Sequence, residues 1–369
     1  MRVAVVMGTR PEAIKLAPVV HELERRDDLD GVVISSGQHR EMLDQMFGVL
    51  RISPDVDLDV MRPNQQLDEL TGVLVGRLGA CFRELRPDWA VVQGDTTTTF
   101  CAALAAFYEQ IPVAHVEAGL RSGDVESPFP EEANRRFTSI VTRLHLCPTL
   151  QNASNLIAEG VSPERVVVTG NTVVDALLWA VGEARRCLAP LPRTRPRRIV
   201  LTLHRRETQG ETMRRICDVV KEIAQRGDTE IVFPVHLSPA VRDVVVPALA
   251  SVEGVQLCEP LDYLSFVAVL DSCDLVLTDS GGLQEEAPAL GKPVLVLRET
   301  TERWEAVEAG VVRLTGTDPV RVSAAVRLLL DDRRAYDAMA RGTSPYGDGH
   351  AARRIVEALV EADSLRVAA

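Results

Sequence analysis

Short runs rich in Val, Ile and Leu recur along this chain, each separated from the next by a stretch whose apolar residues have helical spacing. The first series stands at residues 3–7, 32–35, 89–93, 112–115, 144–147 and 166–169, and the second at 199–203, 231–235, 255–258, 275–278 and 294–297. Near-continuous apolar strands alternating with helices must be buried on both faces, which predicts α/β architecture with parallel sheets under helices. No solenoid-type repeat or low-complexity tract interrupts the pattern. With 369 residues there is too much chain for one comfortable core. The fold class expected is therefore two Rossmann-like domains facing across a cleft.

Between the two series, residues 183–198 are dense in Pro and Arg, which suits an exposed connector better than an element interior. A domain junction is expected between about 170 and 198 on that ground. Residues 353–365 read as a final amphipathic helix with Ile355, Leu359 and Val360 on one face.

Charge excludes some partners. Forty-one basic against 53 acidic side chains leave a net charge of −12, which disfavours attraction to nucleic acid or anionic membranes. The apolar run after Met1 is too short for a signal sequence, and nowhere do 18 apolar residues follow one another, so a cytoplasmic protein is expected. The 7 cysteines are widely spaced, without a C-x-x-C pair or a Cys/His cluster of zinc type. Reduced, structural thiols and no metal are the expectation.

Ligands of open α/β sheets bind beyond the C-terminal ends of the strands, so the loops after the strands rank first. After residues 275–278 comes Asp279-Ser280-Gly281-Gly282-Leu283-Gln284-Glu285-Glu286. Two glycines at a helix start let backbone N–H groups approach an anion, or simply make a tight turn. The dinucleotide fingerprint G-x-G-x-x-G and the P-loop are both absent there. The matching turn of the first half holds Arg10, Pro11 and Lys15; a guanidinium and an ammonium there suit a diphosphate clamp. Asp95 precedes four threonines and is either a helix cap or an acid/base group. Glu117 follows His115, and Glu131 and Glu132 open a helix that also holds Arg135; carboxylates in a first turn also complement the helix dipole. His204 and His236 end two strands of the second half as acid/base or anion-binding candidates.

Taken in order, these loops resemble the non-hydrolysing UDP-N-acetylglucosamine 2-epimerases. The resemblance runs nearly end to end: GTRPEAIK (8–15), QHREML (38–43), QGDTTTT (93–99), HVEAGLRSGD (115–124), PEEANR (130–135), GNTVVDAL (170–177), HRRE (204–207), PVHLSP (234–239), TDSGGLQEEAP (278–288), GKPVLVLRETTER (291–303) and PYGDG (345–349). It implies the GT-B arrangement: an N-terminal Rossmann-like domain over 1–170 completed by a C-terminal helix over 350–369, and a UDP-binding domain over 171–349. It implies that Ser280, Gly281 and Gly282 contact phosphate, Glu286 the ribose, Arg10 and Lys15 the diphosphate and sugar, and that Phe266 packs on the uracil. Arg135 and His236 join them as substrate-binding residues. Asp95, Glu117, Glu131 and His204 are the implied acid/base set, with no metal, no nicotinamide cofactor and a homodimer.

The implied reaction interconverts UDP-GlcNAc and UDP-ManNAc. Loss of UDP from C1 gives oxocarbenium character that makes the C2 proton removable, so stabilising the leaving group comes first. Arg10, His204 and the Gly281–Gly282 helix end are the groups for that. A carboxylate then takes the C2 proton, leaving a 2-acetamidoglucal and UDP. Inversion needs a proton on the opposite face, so carboxylates in unlike environments are expected, with Asp95 as base and Glu117 or Glu131 as partner acid. Alternatives are a GT-B glycosyltransferase using UDP-GlcNAc, a hydrolysing epimerase releasing ManNAc and UDP, and a catalytically silent UDP-sugar sensor. Three positions depart from the family pattern. Trp304 stands where many members have Pro, and Glu41 and Asn64 stand where members activated by a second UDP-GlcNAc have Gln and Arg, so such activation is not implied here.

Overall fold

In the computed structural model, which describes residues 1–189 and 191–368, the chain forms two compact units, Met1–Ala176 with Tyr346–Ala369, and Leu177–Pro345. The last residue of the helix expected over 350–369, and the side chain of Glu41, lie outside the described residues.

The sheet of the first unit is built from β1 (Arg2–Met7), β2 (Asp30–Ser35), β3 (Val56–Asp57), β4 (Trp89–Gln93), β5 (Val113–Val116), β6 (Leu144–Cys147) and β7 (Val166–Val168). All run parallel in the order β3-β2-β1-β4-β5-β6-β7. Ala4, Val6, Ala90 and Val92 face Leu74, Leu78, Phe82, Cys101 and Ala105 from the helices Leu67–Leu85 and Thr97–Tyr108. Burying that apolar side chain area is the main drive to fold. The helix Ala351–Ala368 packs on the helix Arg10–Glu24 and on β6, burying Ala351, Ile355, Val356 and Leu359. Its first turn is held by Asp175, whose carboxylate accepts the Ala351 and Ala352 N–H groups at 3.2 and 2.9 Å. Further along, Trp89 Nε1 donates to Asp363 at 3.1 Å.

The second unit repeats the plan with β8 (Arg197–Thr202), β9 (Thr229–Pro234), β10 (Val255–Cys258), β11 (Leu275–Thr278), β12 (Val294–Val296) and β13 (Val312–Leu314), again all parallel, in the order β10-β9-β8-β11-β12-β13. Ile199, Leu201, Ile231, Phe233, Leu275 and Leu277 meet Ile216, Val220, Val245, Leu249, Val326 and Leu329 from the covering helices. In both units the strand order reverses beside the first strand, between β1 and β4 and between β8 and β11. Each therefore has the switch point at which doubly wound sheets open a ligand-sized gap.

The segment expected to be an exposed connector is one in its middle, where residues 191–194 are exposed and outside any element, but not at its ends. Residues up to Cys187 continue the helix Thr172–Cys187, and Arg197 and Arg198 begin β8. Arg198 is fully buried because the parallel register places it opposite Glu230, to which its Nε donates at 2.7 Å. The cysteines are all free thiols, and Cys187 is the exposed one. Among the described residues no helix is long and apolar enough to cross a membrane, and no group of His, Cys, Asp and Glu is placed to hold a metal ion.

Candidate functional site

At the switch point of the first unit, the loop after β1 meets the loops after β4 and β5. The helix Arg10–Glu24 starts with Pro11 in its first turn, where a missing N–H costs nothing. Glu12, one turn in, is buried and ties three segments together. It accepts the Gly8 N–H at 2.9 Å and the hydroxyls of Thr96 and Thr99 at 2.7 and 2.9 Å. Burial pushes its carboxyl above the usual range against those hydrogen bonds.

The four threonines, a poor choice for a helix start by propensity, do start one, Thr97–Tyr108. Their hydroxyls explain it. Thr96 is the cap, accepting the Thr99 N–H at 3.1 Å; Thr98 donates to Gln38 at 2.7 Å and Thr99 to the Gln93 carbonyl at 2.6 Å. Asp95 is therefore not the cap. Its Oδ2 instead accepts Arg135 Nε and Nη2 at 2.9 and 2.6 Å, and Asn134 holds the Asp95 carbonyl at 2.9 Å.

Glu117 follows β5 in the left-handed region, with φ of 63°, a conformation an L side chain adopts only when its surroundings hold it there. Lys15 Nζ lies 2.5 Å from Glu117 Oε1, Asn171 Nδ2 donates to the same oxygen at 3.2 Å, and Gln93 donates to Oε2. Gly119 keeps this loop against the next helix: a Cβ there would stand 2.2 Å from the Asn152 carbonyl oxygen, and its own φ is +89°. His115 supports the adjacent turn by its Nε2 contact with the Gly94 carbonyl at 2.7 Å, and burial lowers it to about 4, so it is a neutral prop.

The two carboxylates opening the helix Glu131–Val141 divide their work. Glu132 is fully buried and accepts the Ser122 N–H, Arg135 Nη1 and Arg136 Nε at 3.0, 3.0 and 3.1 Å. Burial alone would raise its carboxyl; those donors outweigh it and hold the group below its usual range. Glu131 is half-buried and keeps one buried oxygen, Oε2, without a hydrogen-bond partner. Such an atom is costly to leave unsatisfied in a folded protein. Arg10 is half-buried at the start of its helix.

At the switch point of the second unit, β8 and β11 end in register, with Thr202 opposite Thr278 and their hydroxyls 2.6 Å apart. His204 and Asp279 follow. Asp279 is fully buried, and its Oδ1 lies 3.0 Å from His204 Nδ1. The His204 ring stacks on His236 with centroids 6.2 Å apart, and His236 Nδ1 accepts the Ser238 N–H at 3.1 Å. Ser280 N–H donates to Thr278 Oγ1 at 2.9 Å, and Gln284 holds the Ser280 carbonyl at 2.9 Å while accepting Thr301 at 2.6 Å.

The two glycines are not there for a left-handed turn. Gly282 has φ of −62° and caps the seven-residue helix Leu283–Ala289; a Cβ on it would meet only Ser280 Oγ at 4.0 Å. Gly281 makes room for a side chain: its Cβ would stand 3.2 Å from the guanidinium of Arg303, which also donates to Glu285 at 2.9 Å. Trp304, next along, is half-exposed at the start of the helix Trp304–Glu308. Phe266 lies half-buried in the helix Tyr263–Ser272, which Asp262 caps through the Ser265 N–H at 3.0 Å, and Glu286 is half-buried in the helix Leu283–Ala289.

Of the residues singled out in the sequence, Lys15 with Glu117, Asp95 with Arg135, and His204 with His236 are brought into contact. Gln93, Asn171, Asp279 and Arg303 are additions. All four lie inside motifs quoted above, and their signal was position rather than residue type: Gln93 ends a strand, Asp279 follows one, and Asn171 and Arg303 precede helices.

Comparison with known proteins adds the chemistry. The family model described as UDP-N-acetylglucosamine 2-epimerase matches residues 21–360. The UDP-N-acetylglucosamine 2-epimerase of Salmonella typhimurium is 49% identical over 97% of this chain and 98% of its own. Among solved structures, the UDP-GlcNAc 2-epimerase of Neisseria meningitidis bound to UDP-GlcNAc superposes with a TM-score of 0.88 at 44% identity, over 98% of this chain and 100% of that one. The Methanocaldococcus jannaschii enzyme in complex with UDP-GlcNAc and UDP gives 0.79 at 33% identity, over 98% and 100%.

Proposed function

The chain belongs to the UDP-N-acetylglucosamine 2-epimerase family, a family of isomerases, and from that premise we propose that it interconverts UDP-GlcNAc and UDP-ManNAc by eliminating and re-adding UDP. The C1–O bond breaks with its electron pair going to the β-phosphate oxygen of UDP. The C2 proton passes to a carboxylate and C1=C2 forms, giving a 2-acetamidoglucal. The return adds UDP to C1 and a proton to C2 on the opposite face. No net oxidation occurs, so the residues needed are acids, bases and anion donors.

In this reading the second unit supplies the UDP contacts. Ser280, Gly281, Gly282 and Arg303 take the phosphates, His204 and His236 the leaving oxygen, Glu286 the ribose and Phe266 the uracil. The first unit supplies Arg10 and Lys15 toward the diphosphate and sugar, and Arg135 as the partner of Asp95. Asp95 is the base and Glu117 or Glu131 the partner acid.

One observation supports this most: three carboxylates of one unit stand in three electrostatic settings. Asp95 is held by a guanidinium, Glu117 by an ammonium and two amides, and Glu131 has an oxygen with no donor. Inverting one carbon needs acid and base groups in unlike surroundings, and these three carboxylates stand in unlike surroundings.

Incubation with UDP-GlcNAc in heavy water without an acceptor tests the reading. Deuterium at C2 of recovered UDP-GlcNAc and UDP-ManNAc is the expected outcome. Free ManNAc with UDP would indicate a hydrolysing enzyme, and unlabelled substrate that is consumed only once an acceptor is added a glycosyltransferase. Intact substrate with no label would leave only binding.

A cytoplasmic homodimer accompanies this reading. Phe107, Tyr108, Phe137 and Ile140 are large, at least half exposed, and stand on the neighbouring helices Thr97–Tyr108 and Glu131–Val141, the kind of patch that association covers. Light scattering should give a dimer mass, reduced toward the monomer in Ile140→Asp; a monomeric parent protein would refute it.

A further inference from the structure

We infer that Asp279 is a positioning residue that fixes which nitrogen of His204 is offered to the departing diphosphate; the inference rests on the proposed function for its consequence, though not for its geometry. Asp279 has no solvent exposure and lies at the end of β11, where the parallel register sets it beside the chain leaving β8. Its two oxygens are surrounded by donors. The backbone N–H of His204 reaches Oδ1 and Oδ2 at 3.2 and 3.0 Å, the Arg205 N–H reaches Oδ2 at 2.9 Å, and Thr208 Oγ1 donates to Oδ2 at 2.7 Å. Burial alone would raise this carboxyl; the donors, with His204 foremost, outweigh it and hold it below its ordinary range. Asp279 is thus a carboxylate, which accepts hydrogen bonds and donates none.

That settles the imidazole. His204 Nδ1 lies 3.0 Å from Asp279 Oδ1, so Nδ1 must carry a proton to be tolerated there. In the neutral ring Nε2 then holds a lone pair, and in the cation it holds the N–H that can donate to a phosphate oxygen. The ring is 42% exposed while its carboxylate partner is fully covered, so Nδ1 is committed to the protein and Nε2 remains for a ligand. The stacked His236 ring restrains the swing of the imidazole further. A carboxylate behind a histidine orients the ring and stabilises its charged form. In an elimination whose leaving group is an anion, that support matters most as the C1–O bond breaks and charge builds on the diphosphate.

The test is Asp279→Asn. The amide nearly preserves size, but its NH₂ group can face Nδ1 and so favours the opposite tautomer. With histidines labelled in ¹⁵N, the wild-type His204 ring, assigned through His204→Gln, should show the proton on Nδ1, and the variant should move it to Nε2. Turnover should fall about 10²- to 10³-fold, the loss typical of removing one preorganised donor to a developing anion, while UDP binding to the full chain, read by calorimetry, should change less than about 5-fold. The alkaline limb of the kcat profile should move toward acid. Thr208→Val, which removes one donor from Asp279 and leaves the ring contact, should keep the wild-type tautomer and controls for damage to the loop. A wild-type ring with its proton on Nε2, or a folded Asp279→Asn protein with turnover within threefold of wild type, would overturn the inference. Absence of epimerisation by the wild type would sink the functional reading instead, and the tautomer measurement stands without it.

Discussion

Asp95→Asn is expected to lower epimerisation about 10³-fold or more, within the range lost when a general base is removed, and to stop deuterium entering C2 from heavy water. The substitution is close to isosteric, and the cation it would strand keeps a second carboxylate: Arg135 Nη1 lies 3.0 Å from Glu132. The cap of the following helix belongs to Thr96, so the loop retains its main hydrogen bonds. UDP affinity should therefore be nearly unchanged, since Asp95 is not among the groups proposed to hold UDP. The mixture of lost exchange and retained UDP binding separates loss of a base from unfolding. Exchange at the wild-type rate in a folded Asp95→Asn protein would remove Asp95 from the mechanism and shift the role to Glu117 or Glu131.

The second large effect concerns stability and is independent of any reaction. Arg198→Ala should cost about 3–5 kcal/mol, because deleting one partner leaves a buried ion without its counter-charge. Glu230, its partner, has no exposure. Arg198 also donates to Ser272 Oγ and to the Pro192 carbonyl, both at 2.7 Å, so several acceptors lose their donor together. Glu230 would retain the Thr194 N–H at 2.8 Å and Gln256 at 3.2 Å. By contrast Arg226→Ala, which breaks a partly exposed contact with Asp331, should cost about 1 kcal/mol or less. Urea melts of the two variants make the comparison. Equal midpoints would show that burial of the Arg198 pair is energetically unimportant.

This pair also has a pH signature. Burial pushes the Glu230 carboxyl up, but the donors from Thr194 and Arg198 outweigh it and hold it below its ordinary range. A depressed folded-state value stabilises above the unfolded one and is lost as pH falls through the folded one. The gap between wild type and Arg198→Ala should thus narrow in acid.

The same residue shows where reading a sequence runs out. An arginine in a stretch rich in Pro and Arg has the composition of a solvated linker, and only pairing between β8 and β9 reveals the carboxylate opposite it. Apolar runs marked most strands well, since strands buried on both faces carry little else. The edge strands β3 and β13 escaped: one is the two-residue Val56–Asp57, the other is Val-Arg-Leu with an exposed arginine in the middle, and neither contains a run. The candidate site was legible to the extent that its charged residues stand just after strands, as with Asp95, Glu117 and His204, or in the helix that follows, as with Lys15 in the helix Arg10–Glu24. What stayed hidden were partners. Glu131 and Glu132 are adjacent and chemically alike, yet one anchors two arginines and a backbone N–H while the other keeps an oxygen free of donors, a distinction set by the turn of the helix. Gly281 also makes room for Arg303, a need that its place between a strand and a helix does not reveal.

The first unit is interrupted in sequence, since its closing helix, Ala351–Ala368, is encoded only after all of the second unit. As the polypeptide leaves the ribosome, β1 to β7 emerge long before the helix that packs on one face of the helix Arg10–Glu24. That face waits uncovered through the translation of the whole intervening unit, and the second unit, whose segments are contiguous, can finish first. For this chain the nascent half with the proposed acid and base groups is the one that depends on protection while synthesis continues.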